Sequence, residues 1–134
     1  MSESTNPQQP TNEHLLFIRG THWNCGMSPA EFQCIMTDFY AWVEGLNTSG
    51  ILRGAQPLME EGKLVSGAKG STITDGAFAE SKEAIASYFL LAVDTMAAAI
   101  EIAKACPILA HGAQIEVRSI ADLCRPMAEV KALS

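Results

Sequence analysis

Apolar and polar positions alternate along the 134-residue chain with two different periods. Near-continuous or alternating apolar segments predict four main strands. These strands are residues 14–19, 51–58, 87–93 and 114–120. Two shorter segments, 63–66 and 71–74, flank the Gly-rich turn at 67–70 and predict an extra β-hairpin.

Three- and four-residue apolar spacing predicts a long helix after the first strand. Ser28 is a typical N-cap, Pro29 suits the first helical position, and Glu31 completes a capping box. Gly50 is expected to end the helix in the left-handed conformation. The predicted apolar face consists of Phe32, Ile35, Met36, Phe39, Val43 and Leu46.

A second helix is predicted from Asp94 or Thr95 through Ala105, where Pro107 ends it. Its expected apolar face consists of Met96, Ala99, Ile100 and Ala103. The alanines on this face are small, so the helix can approach a sheet closely.

The order of the elements indicates the fold. Two strand–helix–strand halves, separated by the hairpin, predict an α+β ferredoxin-like sandwich, with two helices on one face of an antiparallel sheet. We expect one domain at residues 13–120. A polar segment, 1–12, precedes it as a disordered tail, and a C-terminal extension, 121–134, follows it with a weak signal for a short helix.

Charge and hydropathy exclude two classes of partner. The chain has 15 acidic and 9 basic residues, and its net charge is −6. The basic residues form no run, which argues against nucleic acid and against an anionic membrane surface. The longest apolar stretch, 84–93, is about half the length that a membrane span needs.

The four cysteines, Cys25, Cys34, Cys106 and Cys124, form no CxxC pair. Cys34 and Cys106 are predicted on apolar helix faces. Because no basic-then-apolar leader opens the chain, we expect a cytoplasmic protein with reduced thiols. His22 and Cys25 have the spacing of half a metal site, but no second ligand pair follows, so no zinc is expected. No sequence feature marks any cysteine as an activated nucleophile.

The segment Asp75-Gly76-Ala77-Phe78-Ala79-Glu80-Ser81-Lys82-Glu83 is the candidate site, because it concentrates polar and charged side chains between two predicted strands. Asp75, at a strand end beside Phe78, is a candidate general base or acid. The alternative is an Asx turn, in which Asp75 accepts from the backbone near Gly76.

Other polar residues have two interpretations as well. His22 is either the partner of Asp75, since the ends of neighbouring strands cluster, or an exposed loop histidine. Glu80 and Lys82 either orient Asp75 or a ligand, or belong to a solvated turn. His14 and His111 are interpreted as structural.

These residues resemble the YCII-related family, specifically its DGPF-motif branch. The branch carries Asp-Gly-Pro-Phe-Ala-Glu-Thr-Lys-Glu, and here Ala77 replaces its proline. Further matches are Tyr88-Phe89-Leu90, Cys106-Pro107 and Glu116-Val117-Arg118, after which Ser119 replaces another proline. The resemblance extends from about His14 to Ile120.

The resemblance implies a dimeric α/β barrel, in which two ferredoxin-like protomers pair their sheets and each keeps a cleft between sheet and helices. Relatives of that architecture include small isomerases, lyases and monooxygenases, and YCII-type relatives have a His–Asp site. By this likeness Asp75 and His22 are the catalytic candidates. Phe78, Glu80, Ser81 and Lys82 are the ligand-binding candidates.

Three functions remain open at this point. The first is a homodimeric lyase or isomerase without cofactor or metal, acting on a small organic molecule by proton transfer. The second is a non-catalytic module that binds a small ligand or a protein, and some members of the branch are encoded beside extracytoplasmic-function sigma factors. The third is a purely structural dimer.

Overall fold

The structure is a computed structural model and describes residues 6–20, 22–76 and 84–133. Its six strands are β1 (Pro10–Arg19), β2 (Leu52–Pro57), β3 (Lys63–Ser66), β4 (Thr72–Asp75), β5 (Ile85–Leu91) and β6 (Gln114–Ala121). Its three α-helices are α1 (Pro29–Thr48), α2 (Met96–Lys104) and α3 (Arg125–Ala132). Short 3-10 helices occupy Ala68–Gly70 and Pro107–His111.

The sheet topology confirms the ferredoxin-like prediction. The main sheet has the strand order β2-β5-β1-β6, and every neighbouring pair is antiparallel. The strands β3 and β4 form a separate two-stranded antiparallel sheet, which is the predicted hairpin.

One face of the main sheet carries the core. Leu16 of β1 lies opposite Phe89 of β5 and Val117 of β6, and all three belong to the apolar cluster. Leu46 of α1 and Ala99 of α2 belong to the same cluster. Both helices therefore pack on this one face, as predicted.

The residues of opposite parity form the open face of the sheet. Leu15 lies opposite Leu90, and Phe17 lies opposite Tyr88. All four side chains are only half-buried. The two central strands are thus apolar on both faces, although the helices α1 and α2 cover only one of them.

The predicted start and end of α1 are confirmed. The Oγ of Ser28 accepts a hydrogen bond from the Glu31 N–H at 3.1 Å, and Pro29 is the first helical residue. Gly50 has a φ of 79°, which favours glycine. The prediction for Cys34 is wrong, because its side chain is exposed. At about 100° per residue, position 34 lies across the helix from the half-buried side chain of Phe32.

The helix α2 follows its prediction in part. Thr95 is the N-cap, and its side chain accepts from the Ala98 N–H at 3.1 Å. Ala99 and Ala103 are buried, whereas Met96 and Ile100 are exposed. The buried face of α2 is therefore rotated about the helix axis relative to the predicted apolar face.

Cys106 is buried, but it lies just after the end of α2 and not on the helix face where it was predicted. Burial raises the pKa of its thiol, and a backbone hydrogen bond at Ile108 acts in the opposite direction.

The two terminal segments contact each other. β1 begins at Pro10, three residues before the expected domain start, and the Thr11 hydroxyl donates to the Ile120 carbonyl at 2.9 Å. The Gln8 side-chain amide donates to the Leu123 carbonyl at 2.8 Å. The C-terminal extension contains α3, whose Ala128 is buried. The start of the expected disordered tail, residues 1–5, lies outside the described residues.

We predict that Ser28→Ala lowers the free energy of unfolding by about 1 kcal/mol, because the Glu31 N–H loses its acceptor. Ser28→Asp is the matched control, because it keeps an oxygen acceptor and should retain most of the stability. Urea denaturation measures both variants. Equal stability of Ser28→Ala and the parent protein would contradict the capping contact.

Candidate functional site

Several strand ends meet at one edge of the main sheet. The Gly20 N–H, just after β1, donates to the Ala84 carbonyl at 3.0 Å, and the Leu58 N–H, just after β2, donates to the Ala86 carbonyl at 2.8 Å. We call this place, defined by Gly20, Leu58 and Ala84, the strand-end edge. Ala84 is the first described residue after the motif, so the motif enters β5 here.

His22 lies two residues beyond this edge and has two polar neighbours. Its Nε2 is 3.6 Å from Oε1 of Glu60, which follows β2. Its Nδ1 is 3.8 Å from Sγ of Cys25. The side chains of His22 and Glu60 are both about half exposed. The imidazole is thus accessible and lies between a thiol and a carboxylate.

Asp75 ends β4 and lies directly opposite Lys63 of β3. Its Oδ1 is 2.5 Å from Nζ of Lys63, and the two side chains are 65% and 55% exposed. The Gly76 N–H donates to the Gly62 carbonyl at 2.9 Å. The carboxylate therefore closes the open end of the hairpin as an exposed ion pair.

The two catalytic candidates consequently have different partners. Asp75 contacts Lys63, whereas His22 contacts Glu60 and Cys25. The ligand-binding candidates Phe78, Glu80, Ser81 and Lys82 lie outside the described residues.

The other two histidines are placed differently from His22. His14 is fully buried, and its Nδ1 lies 3.0 Å from the Val93 carbonyl, to which it donates. His111 is exposed, and its ring lies 6.4 Å from that of Trp23. The contact of His14 is structural, because it joins β1 to the chain that leaves β5.

An apolar cleft lies between α1 and the strands β2 and β5, with a volume of about 270 Å³. Its lining residues from α1 are Met36, Phe39, Tyr40 and Val43, and those from the strands are Ala55, Gln56, Pro57, Ser87 and Phe89. Ser87 is three residues beyond Ala84, so the cleft extends toward the strand-end edge.

Aromatic rings form the inner wall of this cleft. The ring of Phe39 meets Phe89 edge-on at 6.2 Å, and Trp42 lies behind them, 5.3 Å from Phe89. The indole N–H of Trp42 donates to the Ile102 carbonyl at 3.1 Å. Because the Trp42 ring is held at both its apolar and its polar ends, the wall is largely preformed.

The polar side chains around the cleft are few. Ser87 lies on the parity of β5 that faces the helices, since its neighbour at that parity, Phe89, is in the core. Tyr40 lies at the outer side with its side chain exposed. Within the described part of the chain, no Asp, Glu, His, Lys or Arg lines the cleft. It is suited to an apolar molecule with one or two hydroxyl contacts.

Two of these arrangements have no local signal in the sequence. Met36, Phe39 and Val43 belong to the predicted apolar face of α1, and helical spacing does not distinguish a core face from a cleft wall. The His22–Cys25 spacing was recognised only as half of a metal site. No pattern linked either residue to Glu60, which is 35 positions or more away.

Across 6–20, 22–76 and 84–133, no three His, Cys, Asp or Glu side chains are grouped to hold a metal ion. No helix in the same ranges is long and apolar enough to cross a membrane.

The strand order, the two helices on one face and the cleft define a ferredoxin-like α+β domain. The family model of the YCII-related domain matches residues 28–123, which is more than half of the chain. The chain therefore belongs to the YCII-related family, and this confirms the resemblance at that level. A comparison with curated proteins finds no match.

We predict that the Lys63–Asp75 pair contributes little to stability, because both side chains are largely exposed. A double-mutant cycle with Lys63→Gln and Asp75→Asn should give a coupling energy below about 1 kcal/mol that falls further in high salt. Urea denaturation of the four proteins measures it.

The exposed pair of Arg125 and Glu129 on α3 provides a matched control cycle, since its Nε and Oε1 atoms are 3.1 Å apart. A Lys63–Asp75 coupling several times that of the control, and insensitive to salt, would contradict an exposed structural role.

Proposed function

We propose that this protein is a homodimer of the DGPF branch that binds a small, mostly apolar organic molecule. The observation that carries this proposal is the apolar cleft between α1 and the strands β2 and β5. Its preformed aromatic wall offers contact area at little entropic cost.

The size and lining of the cleft support a particular class of ligand. Its volume of about 270 Å³ is near the lower end of small-molecule sites. A dry cavity of about 150 Å³ accepts benzene, so this cleft has room for one ring with a substituent. The hydroxyls of Ser87 and Tyr40 are available as polar contacts, and Gln56 also lines the cleft. A monocyclic aromatic or alicyclic molecule with a hydroxyl or carbonyl group is therefore the proposed ligand.

The homodimer is proposed from the open face of the sheet. Leu15, Phe17, Tyr88 and Leu90 offer a second apolar surface on the two central strands. A second copy that presents the same surface would cover it by face-to-face packing of the sheets. This assembly is also the one that the family resemblance implies.

A second candidate function is proton transfer by a lyase or isomerase that needs no cofactor. It is favoured by the motif and by the position of His22 near the edge where the motif enters β5. In this proposal Asp75 carries the proton and His22 assists it. Binding ranks first because both side chains are exposed and already have charged neighbours.

The remaining proposals follow from the sequence or from the family resemblance. We also propose a cytoplasmic location and an accessory role beside a sigma factor. The same holds for ligand contacts by Phe78, Glu80, Ser81 and Lys82.

We predict saturable binding of phenol, used as a probe, at the cleft. Amide NMR shifts on titration should concentrate at Phe39, Tyr40 and Ser87. Ala55→Leu, which fills the cleft with three extra carbons, should weaken binding by about tenfold or more. Ala97→Leu makes the same change on the exposed face of α2 and should leave binding unchanged.

Two further variants test whether the candidates for proton transfer take part in ligand binding. Asp75→Asn and His22→Gln should leave phenol affinity unchanged if the cleft binds on its own. Shifts that do not saturate, or that Ala55→Leu leaves intact, would contradict the proposal.

A further inference from the structure

The loop between β1 and α1 brings a thiol and an imidazole together. The Cys25 N–H donates to the His22 carbonyl at 3.2 Å, which closes a turn with these two residues at its ends. Gly26 follows with a φ of 85°, a conformation that favours glycine. The turn places Sγ of Cys25 3.8 Å from Nδ1 of His22, within the hydrogen-bond range for sulfur.

A carboxylate lies on the other side of the same ring. Oε1 of Glu60 is 3.6 Å from Nε2 of His22. The order is therefore thiol, imidazole, carboxylate. In thiol and hydroxyl nucleophiles, the imidazole accepts the proton and a third group orients the imidazole.

The turn is anchored rather than free. Trp23, between His22 and Cys25, is half-buried, and its ring lies 5.8 Å from Phe32 of α1 and 6.4 Å from His111. Glu60 comes from a different connection, the chain that follows β2. The three groups are thus brought together by the fold, and all three remain exposed to a reactant.

We propose that Cys25, His22 and Glu60 form a nucleophilic thiol site that adds to soft carbon electrophiles of the α,β-unsaturated carbonyl class. This site is separate from the apolar cleft and does not depend on it. Cys25 is the nucleophile, His22 is the proton acceptor and Glu60 is a positioning residue.

The reaction is an addition that balances without a co-reactant. The S–H bond of Cys25 breaks, and its proton passes to Nδ1 of His22. A bond forms from sulfur to the β-carbon, while the electron pair of the double bond moves to the α-carbon. That carbon then takes the proton back from the imidazolium. Glu60, beside Nε2, stabilises the transient positive charge.

The chain contains its own reference thiols. Cys34 is exposed on α1, and in the part of the chain that the structure describes it has no histidine contact. Cys106 is buried, with 3% of its surface exposed. Cys34 therefore reports the rate of an ordinary exposed thiol, and Cys106 reports unfolding. Cys124 is a poorer reference, because it is the N-cap residue of α3.

The test is the rate at which N-ethylmaleimide modifies each cysteine of the full chain at neutral pH, followed by peptide mass spectrometry. Because His22 is placed to accept the thiol proton as sulfur attacks, Cys25 is expected to react at least about tenfold faster than Cys34. His22→Gln should bring the rate of Cys25 down to that of Cys34.

Variants of Glu60 test whether its carboxylate positions the imidazole of His22. Glu60→Gln should lower the rate of Cys25 severalfold without changing that of Cys34, and Glu60→Asp should recover part of the loss. Glu61→Gln, at the exposed neighbouring position, is the matched control and should have no effect. Continued protection of Cys106 shows that each variant is folded.

Equal rates for Cys25 and Cys34 in the parent protein would overturn the proposal. So would a Cys25 rate that His22→Gln leaves unchanged while Cys106 stays protected. If His22→Gln exposes Cys106, the Glu60 series decides: loss in Glu60→Gln alone supports the site, and equal rates in Glu60→Gln and Glu61→Gln overturn it.

Discussion

The structure depends on the two central strands, β1 and β5, being apolar at both parities. Leu16 and Phe89 face the helices, and Phe17 and Tyr88 face the other way. Burial of apolar surface is the main favourable term in folding. A layer of helices on one face of the sheet buries the apolar side chains of that face only. The helices α1 and α2 are that layer. The proposed second copy covers the other half.

This arrangement also decides where ligands can bind. Because both helices lie on the core face, the space between α1 and the outer strand β2 becomes a cleft. The connections after β1 and β2 and the entry to β5 meet at one edge, since antiparallel neighbours place those ends together. The apolar cleft and the edge with polar side chains thus both follow from one topology. The cleft suits the binding of an apolar molecule, and the edge suits reactions of polar groups.

The sequence predicted the order of elements because each signal was local. Ser28 and Gly50 mark the ends of α1 through contacts within a few residues, and both are as expected. The polar partners could not be predicted in the same way. The contact of His22 with Glu60 joins the connection after β1 to the connection after β2, and it depends on the paths of both connections. Lys63 lies opposite Asp75 because of the register of the hairpin. The sequence predicted the hairpin but not which of its residues pair.

The mass of the protein in solution at micromolar concentration tests the central claim most directly. By light scattering, the parent protein should have twice the mass of one chain. Leu15→Lys, which places a charge on the open face of the sheet, should give a folded monomer. Leu64→Lys, the same change on the exposed hairpin, should remain a dimer. A parent protein with the mass of one chain would contradict the account.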